Sequence, residues 1–124
     1  EEMKFLAILF SVVLLSMPLK AYELLMFSVK TCHFCIAFHE QVVPEYNDTE
    51  YAEILPLTII DAEGIPDWFH IAYDKGYINK IKGTPTFIIW NEETQQEVDR
   101  IVGYNGKEWF YERIELWIEE YYGQ

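Results

Sequence analysis

The sequence predicts a single α/β domain with a mixed central sheet and helices on both of its faces. Three observations lead to this prediction. Short apolar runs alternate with stretches of helical spacing, and only a few turn residues separate the last two of these runs. In addition, 51% of the 124 residues are hydrophobic, which is sufficient for one compact core. The predicted element order is β-α-β-α-β-β-α.

The first strand and the first helix are predicted on either side of Lys30. Residues 23–29 form a short apolar run typical of a buried strand. From Cys32 to Val43, hydrophobic residues recur at helical spacing. Pro44 is expected to end or bend this helix, because proline cannot donate the helical hydrogen bond.

A second strand and a second helix follow. Residues 54–60 are apolar and rich in β-branched side chains, which predicts a strand. Residues 66–76 predict a helix, with Pro66 near its start and Gly76 near its end. Because strands joined through a helix usually pair in parallel, we expect parallel pairs among the strands that helices separate, including the third strand.

The last part of the chain predicts a hairpin and a final helix. Residues 87–90 predict a third strand, residues 91–94 supply turn chemistry, and residues 97–104 alternate as a fourth strand. The hairpin adds an antiparallel edge to the sheet. Residues 105–122 predict a helix with an apolar face. That face comprises Phe110, Ile114, Trp117, Ile118 and Tyr121.

Residues 1–21 have the pattern of a cleavable signal peptide. Lys4 supplies a short basic region, residues 5–17 are apolar, and Ala21 is a small residue at a plausible cleavage position. The apolar run is shorter than the roughly 20 residues of a transmembrane helix. We therefore expect an exported domain of residues 22–124, with no stable membrane insertion after cleavage. Glu1 and Glu2 have no explanation in this pattern.

The charge balance excludes some classes of partner. Nine basic residues stand against 21 acidic ones, so the formal net charge is −12. A nucleic-acid-binding protein needs a basic face for the phosphates, so we expect no nucleic acid partner. The acidic surface is interpreted as solubilising, with a docking face for a basic partner as the alternative.

The chain has two cysteines, Cys32 and Cys35. A bridge between them would close a four-residue ring worth about 2 kcal/mol, against roughly 4 to 5 for a bridge spanning most of a domain. Redox exchange suits their position better, because a helix N-terminus favours the thiolate of Cys32. Cys35 lies three residues later on the same helical face and could attack the resulting mixed disulfide. Cys32 is therefore predicted as the nucleophile and Cys35 as the resolving cysteine.

The two residues between the cysteines are candidate modulators. A protonated His33 would stabilise the thiolate and make the pair more oxidising, but an exposed histidine would have little effect. Phe34 is interpreted as packing beside the helix, with contact to a substrate as the alternative.

A zinc site is a further alternative for the cysteines. Cys32, Cys35 and His39 lie near one helical face, and His70 could complete a tetrahedral set. A structural zinc site usually has two pairs of close ligands, whereas His70 stands alone. We therefore expect no metal site.

A second motif, Gly83-Thr84-Pro85-Thr86, directly precedes the third predicted strand. Proline is common at the start of a strand, which is one reading of Pro85. A CxxC motif at the first helix, followed by this motif in the same element order, resembles the thioredoxin-fold thiol:disulfide oxidoreductases. The resemblance covers nearly all of residues 22–124 and implies the thioredoxin fold.

The resemblance also implies roles for individual residues. Pro85 would be cis and lie against the cysteines, the backbone of Thr84 would pair with an extended substrate chain, and Gly103 would lie beside the active site. No cofactor beyond the redox-active disulfide is implied. Residues 25–27, 38–39 and 100–104 are most similar to the small periplasmic thioredoxin-like proteins of the SoxS type, which implies a periplasmic location.

The sequence departs from thioredoxins proper at one position of the mechanism. Their first strand carries a buried aspartate six residues before the nucleophile, and here that position is Met26. Glu23, His39 or water would then have to take the proton of Cys35. The disulfide oxidases of the family carry a large inserted helical domain, for which residues 61–82 are too few.

These observations predict an exported, monomeric protein that exchanges its Cys32–Cys35 pair with disulfides and thiols of periplasmic proteins. We expect it to act as a reductant that a membrane electron donor re-reduces. A disulfide oxidant or isomerase is the alternative within the enzyme class. A substrate-binding or chaperone-like module without turnover is the alternative from another class.

Overall fold

The structure, a computed structural model, describes residues 21–122. The signal peptide predicted for residues 1–21 lies, apart from Ala21, outside the described residues. Within the described part, four strands and five helices alternate along the chain. They are β1 (Tyr22–Ser28), α1 (His33–Gln41), α2 (Val43–Tyr46), α3 (Tyr51–Ile54), β2 (Leu57–Asp61), α4 (Asp67–Asp74), β3 (Thr86–Asn91), β4 (Gln96–Val102) and α5 (Lys107–Tyr122).

The predicted element order is confirmed, with two short helices added between α1 and β2. The first helix ends at Gln41, as expected from the proline that follows. Pro44 then lies at the start of α2, a position where its missing N–H costs no helical hydrogen bond.

The second strand begins later than predicted. Residue 54 belongs to α3, and β2 starts at Leu57. Pro56 has no N–H to donate to a strand partner, although its carbonyl accepts a hydrogen bond from Leu24 N–H at 2.8 Å. The regular ladder therefore begins one residue after the proline.

The sheet has the order β2-β1-β3-β4. Strands β1 and β2 are parallel, as predicted, and the β3–β4 hairpin is antiparallel. The expectation of parallel pairs is wrong for β3, which runs antiparallel to β1. The reason is the connection after α4: residues 75–85 return the chain to the edge where β1 ends, so that Thr86 pairs with Phe27.

Two hydrophobic clusters cover the two faces of the sheet, which confirms helices on both sides. One cluster packs α1 and α5 against the sheet, and the other packs α4 against the opposite face. The first includes Leu24, Met26, Cys35, Phe38, Phe87, Ile89, Phe110, Ile114 and Trp117. The second includes Leu25, Ile60, Phe69, Ala72, Ile78, Ile88 and Trp90.

The apolar face predicted for α5 is buried at its first positions. Phe110 and Ile114 are fully buried and Trp117 nearly so, whereas Tyr121 is exposed near the end of the helix. No helix within residues 21–122 has the length and hydropathy required to cross a bilayer.

Candidate active site

The cysteine pair lies at the start of α1, where the chain leaves the sheet. Cys32 is the N-cap residue, with φ −80° and ψ 117°, and its Sγ accepts a hydrogen bond from the Cys35 N–H at 3.2 Å. A serine or aspartate oxygen usually satisfies this orphan donor, and here the sulfur takes that place. The positive end of the helix dipole therefore acts directly on the Cys32 sulfur.

The second motif, residues 83–86, contacts the sulfur of Cys32. The Cys32 thiol donates to the carbonyl oxygen of Thr84 at 3.4 Å, across 52 positions of sequence. The peptide bond between Thr84 and Pro85 is cis, and Pro85 is buried. The structure thus brings together the two motifs that the sequence singled out.

Gly103 lies beside the same loop. Its N–H donates to the Pro85 carbonyl at 2.8 Å. Its φ is +89°, a backbone conformation that residues with a Cβ rarely adopt. On the other side of the proline, the Thr86 hydroxyl donates to the Gly83 carbonyl at 2.6 Å. Hydrogen bonds on both sides therefore fix the loop next to Cys32.

The pKa values of the two thiols are shifted in opposite directions, as redox exchange requires. Partial burial raises the pKa of Cys32, but hydrogen bonds from the Cys35 and Thr84 side chains and from the backbone of Cys35 and Phe34 favour the thiolate, so the pKa of Cys32 is lowered. Burial and the hydrogen bond with Cys32 raise the pKa of Cys35, which is 1% exposed. Cys32 is thus the more readily ionised thiol.

This asymmetry predicts selective alkylation. With iodoacetamide, Cys32 of the reduced protein will react with a pH midpoint below the value of about 8.5 for free cysteine. Cys35 will react more slowly at every pH below that midpoint. Peptide mass spectrometry of samples quenched along a pH series measures both rates in the unmodified chain. A midpoint for Cys32 at or above that of free cysteine would contradict the assignment of the nucleophile.

The residues between the cysteines are both on the surface. His33 is exposed, and its predicted influence on the thiolate stays a prediction. The interpretation of Phe34 as a packing residue is wrong, because 58% of its surface is exposed. It lines a shallow groove with Val102, Gly103 and Trp109, and so it is available to a molecule that approaches the cysteines.

A larger apolar groove lies on the other side of the loop. It has a volume of about 510 Å³, and Thr84 lines it together with Phe27, Ile65, Phe69 and Ile81. Thr84 therefore lies between the sulfur of Cys32 and an open hydrophobic surface.

The alternative zinc set is not assembled. Within the described residues, no three His, Cys, Asp or Glu side chains are grouped so that they could hold one metal ion. His39 lies on α1 and His70 on α4, and these helices pack on opposite faces of the sheet.

The sequence left open which group accepts the proton of Cys35, and it did not single out Ser28. Ser28 is the last residue of β1 and is 6% exposed, and its Oγ lies 3.3 Å from Nε2 of His39. A polar residue at the end of an apolar strand, just before the CxxC motif, is the signal that could have drawn attention to it.

The chain belongs to the thioredoxin-like domain family, whose model matches residues 20–117. The fold predicted from the two motifs is thereby confirmed. Among solved structures, the periplasmic thioredoxin SoxS from Paracoccus pantotrophus in its reduced form is similar over 78% of this chain and 95% of its own, with a TM-score of 0.62 and 22% identity. The likeness of fold to the SoxS type, predicted from sequence, is thus confirmed.

A thioredoxin from Malassezia sympodialis is similar over 78% of this chain and 77% of its own, with a TM-score of 0.59 and 20% identity. No curated protein sequence matches the chain. The structural matches therefore describe the fold alone.

Proposed function

We propose that the protein is a thiol:disulfide oxidoreductase in which Cys32 attacks a disulfide of a partner protein and Cys35 releases the product. The observation that carries this proposal is the position of the Cys32 sulfur. It caps α1 through the Cys35 N–H and touches the Thr84 carbonyl beside the cis Pro85. The surroundings favour its thiolate, which is the attacking species in exchange.

The reaction needs two exchange steps. The Cys32 thiolate attacks one sulfur of the partner disulfide, so that a mixed disulfide forms and the other partner sulfur leaves as a thiolate. After Cys35 has lost its proton, its thiolate attacks the Cys32 sulfur and expels the second partner thiolate. Two electrons pass to the partner, and the Cys32–Cys35 pair becomes a disulfide. No further cofactor takes part.

The surface around Cys32 supports a polypeptide substrate. Thr84 offers its backbone beside the sulfur, the apolar groove with Phe69 flanks it on one side, and exposed Phe34 and Val102 flank the cysteines on the other. We propose that the backbone of Thr84 pairs with an extended segment of the partner. Gly103, which is hydrogen-bonded to Pro85, would lie beneath that segment.

We further propose that the protein acts as a monomer in the periplasm and works as a reductant, with a membrane electron donor that restores the dithiol. The predicted signal peptide and the likeness of fold to a periplasmic thioredoxin support the compartment. The short connection between β2 and β3 supports a reductant over the oxidases that carry an inserted helical domain.

The reduction potential tests the direction of electron flow. Equilibration of the pure protein with glutathione buffers, followed by acid quenching and alkylation, gives the ratio of dithiol to disulfide. A reductant will have a potential nearer to about −270 mV than to about −120 mV. A value near −120 mV would show that the protein is an oxidant, and failure to form the disulfide at any poise would contradict redox exchange altogether.

A further inference from the structure

We propose that Ser28 and His39 form a relay that removes the proton of Cys35, so that this thiol can resolve the mixed disulfide. The inference rests on the function proposed above and assigns residues to its second step. Ser28 lines one pocket with the resolving cysteine, and His39 acts through Ser28.

The relay is built at the junction of β1 and α1. Ser28 is nearly buried at the end of β1, and its Oγ lies 3.3 Å from Nε2 of His39, which is exposed on α1. Ser28, Cys35 and His39 line one pocket with a volume of about 440 Å³. Burial raises the pKa of Cys35, and hydrogen bonding with the Ser28 side chain acts in the opposite direction. The serine hydroxyl therefore contacts His39 and lies on the same pocket as Cys35.

Glu23 is too far away to take this proton. Glu23 lies five residues before Ser28 on β1, about 16 Å along an extended strand. Its carboxylate accepts a hydrogen bond from the Thr58 hydroxyl. The position of the usual aspartate is filled by Met26, which is fully buried and has no group that accepts a proton readily. Among these candidates, only His39 is connected to the pocket of Cys35.

The proton transfer balances without any outside reactant. As the Cys35 thiol gives its proton to the Ser28 oxygen, the Ser28 hydroxyl gives its own proton to Nε2 of His39. Cys35 becomes a thiolate, Ser28 keeps a hydroxyl, and His39 becomes an imidazolium. The Ser28 hydroxyl then donates to the Cys35 thiolate and the His39 N–H donates to the Ser28 oxygen, so each contact persists with its direction reversed. The exposed ring of His39 can afterwards release the proton to water.

The surroundings of His39 allow it to carry charge. Lys30, Glu40 and Asp61 line the same pocket, so a new imidazolium there has two carboxylates and one ammonium group for neighbours. Cys35 is the remaining titratable group on this pocket. An imidazole changes its charge near neutral pH, which suits a group that must accept a proton and give it up again.

The experiment separates the two steps with a small disulfide. The reduced full-length chain is mixed with dithiobis(nitrobenzoate), and the coloured thiolate is followed in a stopped-flow instrument. Attack by Cys32 releases the first coloured thiolate and leaves a mixed disulfide. Attack by Cys35 releases the second, and its rate reports the step in which the relay acts.

His39→Gln and Ser28→Ala will each slow the second phase by at least about tenfold near neutral pH. Both variants will leave the rate of the first phase unchanged. The double variant will be no slower than the slower single variant, because the two residues act in one chain. Ser28→Thr retains the hydroxyl and will restore most of the rate. Glu53→Gln removes an exposed carboxylate on α3 that does not line this pocket, so it is the control and will behave as the unmodified chain.

The pH dependence of the second phase distinguishes a relay from a structural role. In the unmodified chain this rate will rise with pH near neutrality, and His39→Gln will lack that rise. If His39→Gln keeps both the rate and the pH profile of the second phase, the relay is wrong while the proposed function stands. If the unmodified chain lacks the first phase, the proposed function itself fails. Should Ser28→Ala fail to fold, the exposed His39 alone decides the matter.

Discussion

Replacing Cys32 with serine will reduce disulfide exchange to the uncatalysed background and leave the fold intact. The hydroxyl of serine is a poor nucleophile at neutral pH and cannot form the mixed disulfide. Serine is, however, one of the preferred N-cap residues, so it can still accept the hydrogen bond that the Cys35 N–H now gives to sulfur. The loss of activity will therefore not reflect loss of α1.

The assay is the reduction of a protein disulfide in the presence of excess dithiothreitol, with the circular dichroism spectrum and thermal midpoint as folding controls. Cys35→Ser is the matched variant: it retains the nucleophile but cannot resolve the mixed disulfide itself, so only dithiothreitol can release its product. The binding or chaperone-like alternative predicts instead that Cys32→Ser keeps the protein's function. Full exchange activity in a folded Cys32→Ser variant would refute the role of Cys32.

Replacing Phe38 with alanine will lower the free energy of unfolding by roughly 3 to 5 kcal/mol. Phe38 is fully buried on α1. Its ring lies edge-on to those of Phe87, Tyr104 and Phe110, with centroid distances of 4.8, 5.4 and 4.9 Å. The substitution removes buried apolar surface and leaves a cavity that these surrounding rings can close only in part.

Urea unfolding of the reduced protein measures this loss. Leu116→Ala on α5 is the matched control, because Leu116 is 50% exposed and its truncation leaves no enclosed cavity. We expect this control to cost about 1 kcal/mol or less. Equal losses for the two variants would show that α1 is not anchored to the sheet through Phe38. Since α1 carries both cysteines, the position of the active site depends on the same contacts.

The sequence predicted the elements in which a pattern of side chains extends over several residues. Strand β1, helix α1, the β3–β4 hairpin and helix α5 all show such a pattern, and the structure contains each of them. The two short helices α2 and α3 are too brief for a period to be visible. The hydrogen bond from the Tyr46 hydroxyl at the end of α2 to the Leu55 carbonyl just after α3, at 2.7 Å, joins residues nine positions apart and leaves no periodic pattern in the sequence.

The direction of β3 could not be predicted from the sequence for a similar reason. A strand that follows a helix usually returns in parallel, and nothing local in residues 75–85 shows that the chain turns back to its starting edge. That return is what places Thr84 against the Cys32 sulfur.

In the candidate site, too, some features could be predicted from the sequence and others could not. The two motifs could be found because each is contiguous in sequence and their order is characteristic of one fold. The contact between Ser28 and His39 joins a strand to a helix across 11 positions, and neither residue belongs to the CxxC motif or to the motif of residues 83–86. Only the structure could bring them together beside Cys35.

The most direct test of the central claim is to locate the covalent link formed by the Cys35→Ser variant. The reduced variant is incubated with a disulfide-containing protein, the free thiols are blocked, and the cross-linked species is digested and sequenced by mass spectrometry. We predict one mixed disulfide, between Cys32 and a cysteine of the partner. Dithiothreitol will reduce it, and the Cys32→Ser variant will not form it. Recovery of the folded variant without any covalent partner, its Cys32 still a free thiol, would contradict the account.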